Sequence, residues 1–340
     1  MKSAILLSIV LLLLASCKNE PAGTAASQTD SPTYDFNVVH AAGVRMVSIQ
    51  TPAGQFKVWT KKIGDNPRVK VLLLHGGPAA THEYMESFES FLPAEGWEMY
   101  LYDQLGSYYS DQPKDSSLWT TARFVEEVEQ VRQALGLDNS NFYLLGNSWG
   151  GILALEYALK YQQNLKGLVI SNMMSSAPLY DKYAEEVLAK QMDPKVLAEI
   201  MALEAKSDFA NPRYMELLLP NFYAKHLCRL PEWPDAVNRT FEHVNGEIYT
   251  LMQGPSEFGI AGRLETWDVS ADLPKITVPT LMIGATHDTM DPEHMKWMST
   301  QVKKGRYLHC PDGSHMSMWD DQRHYFPGVI QFIKDVDGGK

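Results

Sequence analysis

The stretch LLGNSWGGILALEYALKY, residues 144–161, decides the fold class of this 340-residue chain. An apolar run ends in Gly-x-Ser-x-Gly, and apolar residues at helical spacing follow at once. A serine between two glycines is compatible with an ordinary turn. It is also compatible with a nucleophile on a tight bend between a strand and a helix, where Gly146 and Gly150 leave room for the strained backbone of Ser148.

Short apolar runs alternate with helical patterns on both sides of this stretch. Two runs around a TPAG turn predict a hairpin, and further runs predict strands over residues 69–74, 97–103, 141–146, 165–171, 279–284 and 305–310. This alternation predicts an α/β fold with a mostly parallel central sheet that is covered on both faces.

Residues 174–268 interrupt the alternation, because their pattern is helical and includes no convincing strand. We call this stretch the cap. The predicted organisation is a core domain in two parts, over residues 34–173 and 269–340, with the helical cap inserted between them.

The N-terminal sequence MKSAILLSIVLLLLASC has one early lysine, an apolar run and then Cys17. The run is short for a transmembrane helix and is typical of a signal peptide. Its end, LASC, resembles a bacterial lipobox, in which the cysteine is acylated after cleavage; an ordinary signal with an incidental cysteine is the alternative. We expect a signal peptide over 1–16, a lipid-anchored flexible tether over 17–33, and a location in the bacterial cell envelope, in the periplasm or at the outer membrane.

The composition excludes some partners and cofactors. A formal net charge of -11 disfavours nucleic acid as a partner. Cys228 and Cys310 are far apart in sequence, which favours two separate buried thiols over a disulfide framework. Since no Cys/His spacing indicates a zinc site, we expect neither a metal nor a cofactor. The sequence does not indicate an oligomeric state.

A serine nucleophile needs a base, and the chain has ten histidines. His315 lies in a loop after the last predicted strand, from which a side chain can reach across the edge of the sheet. His309 falls within that strand, and His324 falls at the start of the last predicted helix. We therefore predict His315 as the base of Ser148.

The base in turn needs a carboxylate to orient it. Asp288 comes just after the penultimate predicted strand. Its competitor, Asp291, is followed by Pro292 and has the pattern of a helix cap. Asp288 is therefore the predicted third member of the triad.

Acyl transfer also needs donors for the developing oxyanion. The turn HGGP, residues 75–78, follows the first strand of the parallel region, and Gly77 has no side chain to keep a substrate away from its N–H. The backbone N–H of Trp149 is the predicted second donor, because it opens the helix after Ser148.

Taken together, these motifs resemble the proline iminopeptidase family of the α/β-hydrolase superfamily, which includes tricorn-associated aminopeptidases and related amino-acid amidases. The matching motifs are HGGP (75–78), DQLGS (103–107), GNSWGG (146–151), GPSEF (254–258), GATHD (284–288) and GSHMSMWDD (313–321). The resemblance implies an α/β-hydrolase core with a mostly parallel sheet and a helical cap. It also implies a serine aminopeptidase that releases proline, or other N-terminal residues, from short peptides with a free N-terminus.

The resemblance further implies that Glu257 binds the α-ammonium group of the substrate; a structural glutamate that caps a helix is the alternative. Some relatives carry a second glutamate directly after the triad aspartate, but this chain has Thr289 there. That part of the amine site is therefore absent or supplied by another residue. The usual HGGPG is HGGPA here, so that Ala79 replaces a glycine.

Two other functions stay open at the level of sequence. One is an amino-acid amidase, esterase or lactonase on the same fold. The other, from a different class, is a non-catalytic lipoprotein that binds peptides. Haloalkane and epoxide hydrolases are disfavoured, because they use an aspartate where this chain has Ser148.

Overall fold

An eight-stranded sheet forms the centre of the computed structural model of the chain, which describes residues 42–340. Its strands are β1 (Val44–Thr51), β2 (Gly54–Ile63), β3 (Lys70–Leu74), β4 (Glu98–Asp103), β5 (Phe142–Asn147), β6 (Gly167–Ser171), β7 (Thr280–Ala285) and β8 (Gly305–Cys310). Their order in the sheet is β1-β2-β4-β3-β5-β6-β7-β8. Strands β3 to β8 run parallel, and β1 and β2 form an antiparallel hairpin at one edge. The predicted hairpin and strands are confirmed, with ends that differ by one or two residues.

The parallel strands read as continuous apolar runs because both of their faces are buried. Along β3, Leu72 and Leu74 pack into the hydrophobic cluster on one side of the sheet, whereas Val71 and Leu73 pack into the cluster on the other side. Successive side chains of a strand point to opposite faces, so one apolar run contributes to two cores.

Eleven α-helices accompany the sheet in the described part of the chain. They are α1 (Thr121–Ala134), α2 (Trp149–Tyr161), α3 (Ala177–Tyr183), α4 (Pro194–Glu204), α5 (Pro212–Leu218), α6 (Ala224–His226), α7 (Asp235–His243), α8 (Gly246–Met252), α9 (Pro292–Gln301), α10 (Ser317–Asp320) and α11 (Gln322–Asp337). Short 3-10 helices include Glu83–Ser90 and Ser270–Lys275, and π-helical turns occupy Ala184–Leu188 and Leu219–Tyr223. None of the helices in residues 42–340 has the length and apolar character needed to cross a membrane.

Helices α3 to α8 all fall between β6 and β7, and no residue of that interval joins the central sheet. An isolated antiparallel bridge pairs Ser176 with Asp268, so the two ends of the inserted segment lie side by side. The boundaries of the cap at 174 and 268, and of the two core parts, stay predictions. The predicted signal peptide, the tether and Cys17 lie outside the described residues.

Helix α7 attaches the cap to the core. The Arg239 guanidinium donates hydrogen bonds to Glu83 Oε1 (3.0 Å) and Glu86 Oε2 (2.7 Å), both on the 3-10 helix of the core. Just beyond α7, the Asn245 N–H donates to the Ala79 carbonyl at 2.9 Å. The cap is therefore hydrogen-bonded to the segment that follows β3.

The carboxyl ends of five neighbouring strands meet at one edge of the sheet. The loops after β3, β5, β6, β7 and β8 begin at His75, Ser148, Asn172, Thr286 and Pro311. This edge is where ligands bind in open parallel sheets, because the loops there converge on one space.

Candidate active site

Ser148 occupies the bend between β5 and α2. Its φ is +57° and its ψ is -128°, a conformation that non-glycine residues adopt rarely and mostly at functional sites. The two flanking glycines leave the space that this bend requires. A Cβ on Gly146 would lie 1.9 Å from the Gly150 carbonyl oxygen, and one on Gly150 would lie 2.1 Å from the Leu74 carbonyl oxygen.

The structure brings His315 and Asp288 into direct contact. Both are buried, and His315 Nδ1 donates a hydrogen bond to Asp288 Oδ1 at 2.8 Å. With the proton on Nδ1, Nε2 carries the lone pair. Nε2 is buried and has no hydrogen-bond partner among residues 42–340. The imidazole therefore presents an unpaired acceptor nitrogen, which a general base requires.

Charge sets the ionisation of His315. Burial by itself lowers the pKa of the imidazole, but the Asp288 carboxylate, through its charge and its hydrogen bond, and the Glu257 carboxylate both favour the imidazolium. Together they raise the pKa of His315 above its ordinary value. The imidazolium that forms when the base takes a proton is thus stabilised in place.

Asp288 is held by contacts from several elements. Asn172 Nδ2 donates to Asp288 Oδ2 at 2.7 Å, and the Met290 N–H donates to Oδ1 at 3.2 Å. Asn172 follows β6 with φ of +53°, and its amide also donates to the Ser314 carbonyl at 3.1 Å. This asparagine therefore links the loop of Asp288 to the loop of His315.

The other candidates for the base and the acid lie elsewhere. Asp291 caps α9, where its carboxylate accepts a hydrogen bond from the Glu293 N–H at 3.0 Å, as the sequence predicted. His309 is exposed on β8 and lies 3.1 Å from the Thr286 hydroxyl through Nε2. His324 is in the first turn of α11 and pairs with Asp321 at 2.6 Å.

The two predicted oxyanion donors are unpaired. Gly77 has φ of +109°, and its N–H donates to no other residue in the range 42–340. The N–H of Trp149, the first residue of α2, likewise has no acceptor within that range. The Trp149 indole points elsewhere and donates to Gln104 Oε1 at 2.7 Å. Both backbone groups are therefore available to a bound anion.

A cavity of about 330 Å³ lies over these groups. The core contributes Ser148, His315, Gly76 and Gly77 to its lining, and the cap contributes an apolar wall. That wall comprises Phe209, Met215, Tyr223, Leu227, Phe241, Val244, Tyr249 and Pro255. The cavity has the size and apolar lining of a small-ligand site.

Glu257 is the acidic side chain that lines this cavity, and no other residue of its described lining carries a carboxylate. Its Oε1 accepts a hydrogen bond from the Tyr249 hydroxyl at 2.6 Å, and no cationic side chain within residues 42–340 forms an ion pair with it. Burial raises the pKa of Glu257. The carboxylate thus lacks a cation in a setting where ionisation is costly.

Three tyrosines hold the loop that carries Glu257; Tyr180 and Tyr223 are buried, and Tyr249 is half-buried. Tyr180 donates to the Glu257 carbonyl, the Glu257 N–H donates to the Tyr223 hydroxyl at 3.3 Å, and Tyr249 reaches the carboxylate. Glu257 lies outside the helices, between α8 and the Ser270–Lys275 turn, so it does not cap a helix. The tyrosines orient its side chain towards the cavity.

Thr289 belongs to the surroundings of the triad rather than to the cavity lining. Thr289 is buried, and its hydroxyl donates to Asp288 Oδ1 at 3.4 Å. The hydroxyl oxygen of Thr289 also lies 3.1 Å from His315 Nδ1. Since no second carboxylate lines the described cavity, Glu257 is its single anionic group.

One cluster elsewhere has the composition of a metal site. Ligand atoms of Asp312, Asp321 and His324 lie within 4.8 Å of one another. Asp321 already accepts hydrogen bonds from the Asp312 N–H (3.1 Å) and from His324, so its oxygens have local partners at the start of α11. Both cysteines of the described residues, Cys228 and Cys310, are free and buried, as predicted.

Several residues of the site carry no sequence signal that predicts them. Asn172 is a lone asparagine after a strand, and its role depends on the adjacency of β5, β6 and β7, which periodicity does not reveal. Tyr180, Tyr223 and Tyr249 come from three separate helical segments of the cap. A search of the first residue after each core strand would have found Asn172, because ligands of parallel sheets bind at that edge.

Known proteins share both the sequence and the fold. A family model described as alpha/beta hydrolase fold matches residues 70–322. A proline iminopeptidase of Flavobacterium johnsoniae is 71% identical over 295 residues, which cover 87% of this chain and 99% of that protein. One of Elizabethkingia meningoseptica is 67% identical over 294 residues, covering 86% of this chain and 98% of that protein.

A solved structure agrees with these relatives. The crystal structure of a Mycobacterium smegmatis proline iminopeptidase matches with a TM-score of 0.77 and 28% identity, over 87% of this chain and 99% of that one. The sheet of mostly parallel strands, the inserted helices and the motifs at the strand ends are thus accounted for together. This chain belongs to the proline iminopeptidase family of the α/β-hydrolase superfamily.

Proposed function

We propose that this enzyme is a serine aminopeptidase that removes an N-terminal residue, preferentially proline, from short peptides. The observation that carries the proposal is the position of Glu257: its carboxylate, which has no cationic partner among residues 42–340, lines the same cavity as Ser148 and His315. A substrate ammonium would supply the missing cation, and a charge pair of this kind is strong away from water. Close relatives named proline iminopeptidase support the same activity.

The catalytic steps follow from the positions of the groups. Ser148 Oγ attacks the carbonyl carbon of the first residue while His315 Nε2 takes its proton. The N–H groups of Gly77 and Trp149 donate to the oxyanion of the tetrahedral intermediate. The intermediate collapses, the peptide C–N bond breaks, and His315 returns the proton to the leaving amine.

Deacylation repeats these steps with water. His315 Nε2 takes a proton from the water molecule that attacks the acyl-enzyme, and Ser148 leaves as its hydroxyl when it regains that proton. Asp288 keeps the imidazole in the Nδ1–H tautomer and stabilises its charged form throughout. The amino acid is released with its ammonium still opposite Glu257.

The substrate class is the part of the proposal that separates it from an amidase or esterase. The test is a panel of aminoacyl-naphthylamides, each assayed with a free and with an N-acetylated amine. We expect prolyl-naphthylamide to be the best substrate and acetylation to abolish its turnover, because the acetylated nitrogen carries no charge. Equal turnover of the free and blocked substrates would contradict the aminopeptidase assignment.

We also propose that Cys17 carries a lipid anchor that holds the enzyme in the bacterial cell envelope, with residues 17–33 as a spacer. The proposal rests on the LASC sequence after the apolar run. Cys17→Ser should release the enzyme from membranes of the producing bacterium without changing kcat/KM. A variant that still sediments with the membranes would contradict the anchor.

A further inference from the structure

The hydroxyl group of Tyr84 lies between the two segments that carry the oxyanion donors. It accepts a hydrogen bond from the Gly76 N–H at 2.7 Å and donates one to Asn147 Oδ1 at 2.9 Å. Gly76 directly precedes the first donor, Gly77, and Asn147 lies two residues before the second, Trp149. The two segments are the loop after β3 and the bend after β5.

From this arrangement we propose that Tyr84 is a positioning residue: it fixes the spacing between the Gly77 and Trp149 N–H groups and so shapes the oxyanion hole. The proposal rests on the acyl-transfer role of Ser148 described above. It does not depend on which acyl group is transferred, because every substrate of such a site passes through an oxyanion.

The space around Gly76 shows how closely its backbone approaches Ser148 and the Tyr84 hydroxyl. A Cβ at this position would lie 2.9 Å from Ser148 Cβ, 3.3 Å from Ser148 Oγ and 3.2 Å from the Tyr84 hydroxyl. The Gly76 backbone therefore lies directly against the nucleophile, and the bond from Tyr84 fixes that backbone. A shift of about 1 Å in such a site is enough to cost about 100-fold in rate.

The chemistry of the phenol fits this role. Burial raises the pKa of Tyr84 well above its ordinary value, so the group stays protonated. A neutral hydroxyl has one proton to donate and lone pairs to accept with. Because the Gly76 N–H can only donate, the single Tyr84 proton goes to Asn147. Although Tyr84 lines the cavity, it has no second proton for a substrate.

The backbone of Tyr84 is itself anchored on both sides. Its N–H donates to the Thr240 hydroxyl of α7 at 2.9 Å, and its carbonyl accepts from the Trp319 indole of α10 at 2.7 Å. One anchor belongs to the cap and the other to the core. The phenol is thus placed by contacts that do not involve the groups it positions.

The decisive variant is Tyr84→Phe, which keeps the ring and both backbone anchors and removes the hydroxyl. We expect kcat to fall about 10- to 100-fold with KM changed less than about twofold, for both prolyl-naphthylamide and p-nitrophenyl acetate, since loss of a whole donor costs about 100- to 1000-fold. Rates are normalised by active-site titration with a fluorophosphonate, which removes any effect of misfolded protein.

A second readout separates positioning from structural support. Pyrrolidine-2-boronic acid forms a tetrahedral adduct with the serine. Proline, the product, has a planar carboxylate and forms no such adduct. In Tyr84→Phe the affinity for the boronic acid should fall by the same factor as kcat/KM, and the affinity for proline should stay the same. A merely structural role would change both affinities alike or neither.

Tyr157→Phe is the matched control. Tyr157 is also buried, and its hydroxyl donates to Glu129 Oε2 at 2.8 Å in the α1–α2 interface, outside the cavity. We expect Tyr157→Phe to lower the melting temperature, as we also expect of Tyr84→Phe, and to leave kcat unchanged. A Tyr84→Phe enzyme with unchanged normalised kcat, or with a raised KM alone, would overturn the proposal.

Thr240→Val covers the case in which Tyr84→Phe does not fold. It removes the hydroxyl that accepts the Tyr84 N–H, and we expect kcat and boronate affinity to fall together by about three- to tenfold; unchanged values would overturn the proposal. If the wild-type enzyme does not hydrolyse prolyl-naphthylamide, the aminopeptidase assignment fails. The ester kinetics of the two variants would still decide the role of Tyr84.

Discussion

The predicted triad and the proposed amine site differ in how many hydrogen bonds their polar groups make. Asp288 accepts hydrogen bonds from His315, Asn172 and Met290, so the acid and the base have fixed positions. The Glu257 carboxylate accepts one, from Tyr249, and no cationic side chain of the described residues pairs with it. The groups predicted to perform the chemistry are held in place by hydrogen bonds within the protein, whereas the group proposed to bind the substrate has only one hydrogen bond to the described residues.

The two regions also come from different parts of the chain. Residues at the ends of parallel strands supply the triad and the oxyanion donors, and the sheet fixes their separation. Glu257 lies in a loop of the inserted helical segment and is oriented by tyrosines of that segment. The predicted catalytic groups therefore belong to the core, whereas the proposed amine-binding group belongs to the inserted segment.

Ser148→Ala should abolish the turnover of amide and ester substrates alike. Loss of the nucleophile typically lowers kcat by roughly 10⁴- to 10⁶-fold, and the loss should be the same for prolyl-naphthylamide and for p-nitrophenyl acetate. Steady-state kinetics with both substrates measures it, and circular dichroism checks the fold. Activity within tenfold of the wild type would show that another residue is the nucleophile.

Asp288→Asn tests the base-orienting carboxylate. The asparagine leaves His315 in the wrong tautomer, so kcat should fall by about 10⁴-fold for the amide and the ester alike. Asp291→Asn is the matched control, because Asp291 caps α9 and asparagine is also a good cap. It should leave kcat nearly unchanged, and the reverse ranking would identify Asp291 as the catalytic acid.

Glu257→Gln should separate the two regions. Truncating one side of a buried charge pair costs about 2–5 kcal/mol, or roughly 30- to 5000-fold in kcat/KM for prolyl-naphthylamide. p-Nitrophenyl acetate has no ammonium and should lose little. The measured quantity is the ratio of the two kcat/KM values, and a ratio equal to that of the wild type would argue for a purely structural glutamate.

A smaller effect should come from the negative charge of Glu257, which raises the pKa of His315. Asp288 and Glu257 both raise the pKa of His315, and the base acts only when it is neutral, so activity rises as pH increases through that pKa. Glu257→Gln removes one of these charges. The acidic limb of kcat/KM for the ester should then move to lower pH.

Glu247→Gln is the control for this shift, because Glu247 is an exposed residue of α8. It should leave the acidic limb where it is in the wild type. A limb that Glu257→Gln does not move, or moves to higher pH, would contradict the electrostatic link between Glu257 and His315.

The sequence alone predicts most of the core and its chemistry. Each parallel strand is an apolar run bounded by turn residues, and Ser148, Asp288 and His315 each follow such a run. Their distance in sequence does not obscure them, because each lies in a motif of its own. Whether they perform the predicted roles stays a prediction for the variants above.

The contacts that support the site could not be predicted in the same way. Tyr84 and Thr240 are 156 residues apart, and Asn172 and Asp288 are 116 apart. Neither pair has a periodic pattern or a motif, since each contact arises when separate elements pack together. Short helices of the cap, including two π-helical turns, likewise follow tertiary packing more than local propensity.

The attachment of α7 to the core links the cap to the turn that carries Gly77. The Tyr84 N–H donates to the Thr240 hydroxyl, and the Asn245 N–H donates to the carbonyl of Ala79, two residues after Gly77. A displacement of α7 from the core would break both hydrogen bonds at once, so the position of this helix and the position of the turn that carries Gly77 depend on each other.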